Sequence, residues 1–126
     1  MASTAEAAVV AAKSGDPKLI ADARLADAEA ALAGGDARKA LDGALAAHQW
    51  FDREGVEESE WRCLLAASRA ERALGETAKS HEHAARASDR LAGLAQKWDS
   101  DSYKQYLARP DIQYNRGWLS RLAVAK

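Results

Sequence analysis

Residues that favour strands are scarce in this chain of 126 residues, with only four Val, two Ile and two Thr. A sheet is therefore not expected, because pleated surfaces draw on β-branched side chains. Cys63 is the sole cysteine, which excludes an internal disulfide. Long apolar runs are missing as well: a stretch such as Ala7 to Ala12 falls far short of the roughly 20 residues that a membrane-spanning helix needs. The start, Met1-Ala2-Ser3-Thr4-Ala5-Glu6, has no basic region ahead of an apolar stretch. No signal peptide is read there, and a cytoplasmic location is expected. Nor does one sign of charge dominate, since 18 basic side chains face 19 acidic ones. Affinity for DNA or RNA comes largely from uncompensated Lys and Arg neutralising phosphates, so a nucleic-acid role is not expected.

What the chain has in abundance is alanine, at 31 residues, followed by 13 leucines. Ala, Leu, Arg, Lys and Glu lose little side-chain freedom in a helix. The fold class expected is all-α, in one domain spanning residues 1–126.

Glycine, proline and capping residues divide that domain. Asp16 can cap a helix that opens at Pro17, where the missing N–H costs nothing. The helix should stop at Gly34-Gly35, residues suited to a left-handed end. Asp36 caps a second helix running to about Arg53 and closed by Gly55. Ser59 is expected to cap a third over Glu60 to Leu74, and a fourth begins near Thr77 and continues to about Trp98. Asp99-Ser100-Asp101 interrupts it. A short helix through Tyr103 and Leu107 follows, broken at Arg109-Pro110 because the residue before proline avoids helix. Pro110 opens the last helix, and residues 1–15 form an Ala-rich N-terminal segment that could be a further, frayed helix.

A shift of 40 residues lays Gly35-Asp36 on Gly75-Glu76, Leu25 on Leu65, Ala30 on Ala70, Ala44 on Ala84 and Ala47 on Ala87. Two helix–turn–helix units follow, over 16–54 and 59–98, with 101–124 as capping helices. In Gly35-Asp36-Ala37-Arg38-Lys39-Ala40-Leu41, and in the alanines Ala28, Ala40, Ala44 and Ala47, the first unit resembles the tetratricopeptide repeat. The second unit matches less fully, with Ser68 and Ser80 at the two small positions. Arg24, Ala31, Leu64 and Glu71 stand where the family has aromatics, and Asp52 and Ala92 where it has Pro. The spacing here exceeds the family's period of about 34 residues. Longer helices or the loop from Gly55 to Ser59 must absorb that excess.

The resemblance implies antiparallel helical hairpins stacked as a short right-handed superhelix, the alternative being an antiparallel helical bundle. It also implies that the first helix of each unit lines a concave groove for a protein or peptide. Carried over by position, Asp22, Leu25, Glu29, Leu32 and Ala33 would line it in one unit, and Arg62, Leu65, Arg69, Arg72 and Ala73 in the other. Arg62, Arg69 and Arg72 fall on one helix face, which suits an acidic or phosphorylated partner. The Lys and Asn pattern of the family's carboxylate clamp is missing. A self-associating bundle with a structural role is the rival function.

No catalytic, cofactor or metal site is expected. His81 and His83 are two residues apart and point away from one another on a helix. Cys63, between Arg62 and Leu64, reads as a small buried hydrophobe. Gly34-Gly35 lacks the Lys-Ser/Thr of a phosphate-binding loop. Glu57-Glu58 falls at a helix start, where the dipole accounts for it.

Overall fold

The computed structural model describes residues 15–124, so the reading of residues 1–14 lies outside the described residues. Within them the chain is all-helical, as its composition implies. The elements are α1 (Pro17–Ala33), α2 (Ala37–Glu54), α3 (Glu57–Ala73), α4 (Thr77–Lys97), α5 (Ser100–Ala108) and α6 (Pro110–Val124). No helix among them is long and apolar enough to cross a membrane.

One turn, used three times, joins α1 to α4. The α2–α3 turn shows its chemistry. Gly55 sits at φ +70, a conformation that costs glycine nothing and would crowd the Cβ of any other residue. Its N–H donates to the Asp52 carbonyl and the next N–H, of Val56, donates to that of Phe51. This is the Schellman pattern, which satisfies carbonyls that the helix end leaves open. Gly35 and Gly75 repeat it, each twenty residues away, with Asp36 and Glu76 donating back to Ala31 and Glu71. Consequently α1, α2, α3 and α4 start at 17, 37, 57 and 77.

This ladder corrects the expectation for α3. Ser59 is not its cap but lies inside the helix, and Val56 holds the cap position without a side-chain hydrogen bond. The Schellman turn needs no further linker, so the helix begins at once. Glu57, Glu58 and Glu60 in its first turn supply the negative charge that a helix start favours. The third helix accordingly opens at Glu57, with no separate loop from Gly55 to Ser59. The remaining ends match the punctuation. Asp16, Asp36 and Asp99 accept hydrogen bonds from first-turn backbone N–H groups, at 2.9, 3.1 and 2.7 Å.

Short turns make neighbouring helices antiparallel. In addition α1 packs on α3, and α3 on α6, whereas the backbones of α2 and α4 stay apart. Thus α1, α3 and α6 form one layer, with α2 and α4 behind it.

The core changes character along the chain. Between α1, α2 and α3 one part is built from Ala28, Ala40, Ala44, Ala66, Ala67 and Ala70 with Leu41, and another from Ala21, Leu25, Ala47, Phe51 and Cys63. Small side chains let helix axes approach closely, but each removes little apolar surface from water. Between α3, α4 and α6 the core carries Trp61, Leu64, Leu65, Leu91, Leu94, Ile112, Leu119 and Leu122. There the Trp61 indole N–H donates to the Tyr106 hydroxyl at 2.9 Å, tying α5 to α3. The end face of the second hairpin is thereby covered by α5 and α6.

Ala44 and Ala84 are fully buried in these contacts. Replacing either by Leu is expected to destabilise the fold by about 1–3 kcal/mol, because added methylenes strain a close helix contact. Urea unfolding followed by circular dichroism measures this, and unchanged midpoints would count against the contact register.

Candidate functional site

The layer made by α1, α3 and α6 gathers the polar groups with the most unusual surroundings. On α3, Arg62 lies half-buried between two carboxylates. One of its terminal nitrogens reaches both Glu29 oxygens of α1 at 3.0 Å, and the other reaches Asp111 of α6 at 3.4 Å. Its Nε is buried without a hydrogen-bond acceptor. Burial opposes ionisation of Asp111, but the hydrogen bond and charge of Arg109, with the charge of Arg62, outweigh it. The net result holds the Asp111 carboxyl below the ordinary carboxylate range.

Two turns further along, the same pair of helices meets through a different chemistry. The Arg69 guanidinium lies 4.3 Å from the centre of the Trp118 ring and 5.9 Å from that of Tyr114. Arg121 lies 4.9 Å from the same indole. Arg62 to Asp111 and Arg69 to Trp118 are both separations of 49 residues, so α3 and α6 run parallel at this seam. A guanidinium held flat on an aromatic face is attracted by the ring quadrupole and keeps its N–H edges free for planar acceptors. Arg69, Arg72 and Arg121 have no carboxylate within 4.0 Å among the described residues. The acids on and around α3 are engaged elsewhere, Glu71 with His83, Glu76 with Lys79 and Glu29 with Arg62.

A cavity of about 220 Å³ opens between these groups, lined by Glu29 and Ala33 of α1, Arg62 and Arg69 of α3, and Asp111, Tyr114 and Asn115 of α6. Tyr114 is the most exposed large apolar side chain among the described residues, at 60%. Hydrogen bonding toward Trp118, then the positive charge of Arg69, pulls its phenol below the usual tyrosine value.

Of the residues expected to line a groove, Glu29, Ala33, Arg62 and Arg69 come together here. Arg72 is exposed one turn beyond them. Leu25 and Leu65 do not form an open floor. Leu25 is buried with Ala21, Ala47, Phe51 and Cys63, and Leu65 lies under α6 in the Trp61 cluster. Leu32 is partly buried against the alanine cluster. Asp22 pairs with Lys18 at 2.8 Å on the same helix, and Ala33 and Ala73 are exposed at helix ends. The groove residues that sequence reasoning missed are on α6. Their signal was present: Asp111, Tyr114 and Trp118 are spaced three and four apart, which is one helix face.

Elsewhere α3 joins its neighbours through polar contacts inside the fold. Ser68 and Ser80 each donate a hydroxyl hydrogen bond to the other's carbonyl, at 2.7 and 2.9 Å. His48 of α2 lies 3.0 Å from Glu60, and His83 of α4 lies 2.6 Å from Glu71. Cys63 is fully buried, and that desolvation pushes its thiol far above the ordinary value, which keeps it protonated and unreactive.

Two measurements check this electrostatic picture. In a chain whose other tyrosines are Phe, Arg69→Met should raise the Tyr114 midpoint in an absorbance titration, because loss of the positive charge destabilises the phenolate. A midpoint that stays put would mean Arg69 does not face the ring. Cys63 should resist a thiol reagent such as Ellman's in the native chain and react at once in denaturant.

Comparison with known proteins yields no match among family models, curated sequences or solved structures.

Proposed function

We propose that this chain is a partner-binding module of the tetratricopeptide-repeat type, with α1, α3 and α6 as the concave layer of a short superhelix. Its ligand in this reading is an acidic peptide segment of another protein, seated on the α3–α6 seam, and the module binds rather than catalyses. A cytoplasmic setting belongs to the same reading.

The observation that carries it is the pair of guanidiniums, Arg69 and Arg121, beside one indole with no carboxylate within 4.0 Å of either among the described residues. Two cations beside one partly exposed ring leave positive charge for an incoming carboxylate to answer, and guanidinium binds carboxylate through bidentate bonds. Tyr114 at the rim supplies exposed apolar surface beside the charge, and Arg72 extends the basic edge. Support for the superhelix comes from the layers, since the backbones of α1 and α3, and of α3 and α6, approach closely while those of α2 and α4 stay apart, which bends the stack toward the first set.

A fluorescein-labelled peptide rich in Glu, followed by anisotropy, tests the reading. Wild type should bind it, with affinity falling as salt rises. Arg69→Glu/Arg121→Glu should weaken binding by about tenfold or more, the scale of one charge-assisted hydrogen bond. Arg38→Glu/Arg53→Glu, which removes two exposed arginines of α2, should leave it nearly unchanged. Equal loss in both variants, or no binding by wild type, would overturn the site. Light scattering on the same samples separates the rival: a tight dimer that competes with the peptide would make the face a self-association surface.

A further inference from the structure

We propose that His48, Asp52 and Glu60 form a site for one divalent transition-metal cation, with Zn²⁺ as the chemistry it fits best, bridging α2 to α3. The proposal is independent of peptide binding, because the site lies on the α2 side of α3.

Three observations carry it. First, one ligand atom from each of the three residues lies within 4.8 Å of the others, and His48 Nε2 is 3.0 Å from Glu60 Oε2. Around a tetrahedral ion with bonds of 2.0–2.1 Å, neighbouring ligand atoms sit about 3.3 Å apart. The set therefore closes onto a cation through rotation of its exposed member, Asp52. His48 and Asp52 are four apart on α2, the spacing that places two ligands on one helix face. One imidazole and two carboxylates is a nitrogen–oxygen donor set suited to Zn²⁺ and its first-row neighbours.

Second, the burial pattern is that of a site with one open side. His48 and Glu60 are buried, at 8% and 2% exposure, whereas Asp52 faces solvent. The two inner ligands are fixed by packing, and the outer one leaves a path for the ion and room for a water.

Third, Asp52 adds a second carboxylate to the buried His–Glu pair, from the last turn of α2 and within 4.8 Å of it. Arg90 is the cation that answers these carboxylates: its Nε lies 3.1 Å from Glu60 Oε2, and Glu60 and Asp52 both raise its pKa, so a metal ion has to displace it. Its side chain is 40% exposed, which leaves it room to swing outward. The other His–Glu joint sharpens the point. His83 and Glu71 make the same pair between α3 and α4, but the residue four beyond His83 is Ala87. A His–Glu hydrogen bond thus joins two helices without help, and the added carboxylate is peculiar to the first joint. His83 and Glu71 serve as an internal control.

Titration calorimetry of Zn²⁺ into the metal-stripped full chain, with Co²⁺ absorption as a second probe, tests the site. One equivalent should bind, raising the melting temperature. Asp52→Asn, at an exposed position that cannot upset packing, should weaken binding at least tenfold and abolish the melting shift. His83→Gln should leave the affinity unchanged. Arg90→Met should tighten it several-fold by removing the competing cation, a gain that a purely structural role for the cluster does not produce. Absence of saturable binding near one equivalent, full affinity in Asp52→Asn, or equal loss in His83→Gln would overturn the proposal.

Discussion

A helix that ends in a left-handed glycine, with the next helix starting two residues later, has almost no freedom in where its neighbour begins. Repeated at Gly35, Gly55 and Gly75, that constraint sets the register of α1 to α4. Midway along each antiparallel hairpin a residue meets the one twelve further on, and that pairing recurs at twenty-residue steps. His48 meets Glu60 and Ser68 meets Ser80 on this rule, and Glu71 meets His83 three residues further on. Ala28 and Ala40 occupy the corresponding places in the first hairpin, both buried. Identical geometry is thus filled by three chemistries: a methyl contact, a histidine–glutamate joint and a reciprocal hydroxyl clasp.

The chemistry chosen at each joint decides what each helix pair can do. An alanine contact gives closeness without much stability, since little area leaves water. The Ser68–Ser80 clasp satisfies both hydroxyls, so burying them costs little. The histidine–glutamate joints place ionisable groups inside the fold, where partners are obligatory. All of these meet on α3, which is also the helix that α6 overlays. One face of α3 therefore holds the scaffold while the face toward α6 carries Arg62 and Arg69.

Most of the fold was legible because its signals are local. Gly, Pro and Asp at helix ends act through backbone bonds that span a few residues, so α1, α2, α4, α5 and α6 could be placed from sequence. The start of α3 was misread because Ser59 looks like a cap, while the Gly55 turn makes a side-chain cap unnecessary. The period of 40 read from sequence is two of the twenty-residue steps at which Gly15, Gly35, Gly55 and Gly75 recur. The candidate site was half legible. Arg62 and Arg69 follow from a shared helix face and Glu29 from the repeat resemblance, but which residues lie opposite them depends on how α6 docks, and no local pattern encodes that. Leu25 and Leu65 were read as surface for the same reason, since burial by Phe51 or by α6 is a property of tertiary packing.

The turns have a further consequence for how the chain reaches this state. Helix joints between partners only twelve residues apart close short loops, which cost little chain entropy. Folding dominated by such local closures is fast, and in a stack it can start at any hairpin and spread to the next. The α3–α6 seam is different, because its partners are 49 residues apart and are separated by α4 and α5. Its closure must wait until the α3–α4 hairpin exists as a template. The face that carries Arg69 and Trp118 is thus the last part of the molecule to be completed, and the first to be lost when the C-terminal helix lets go.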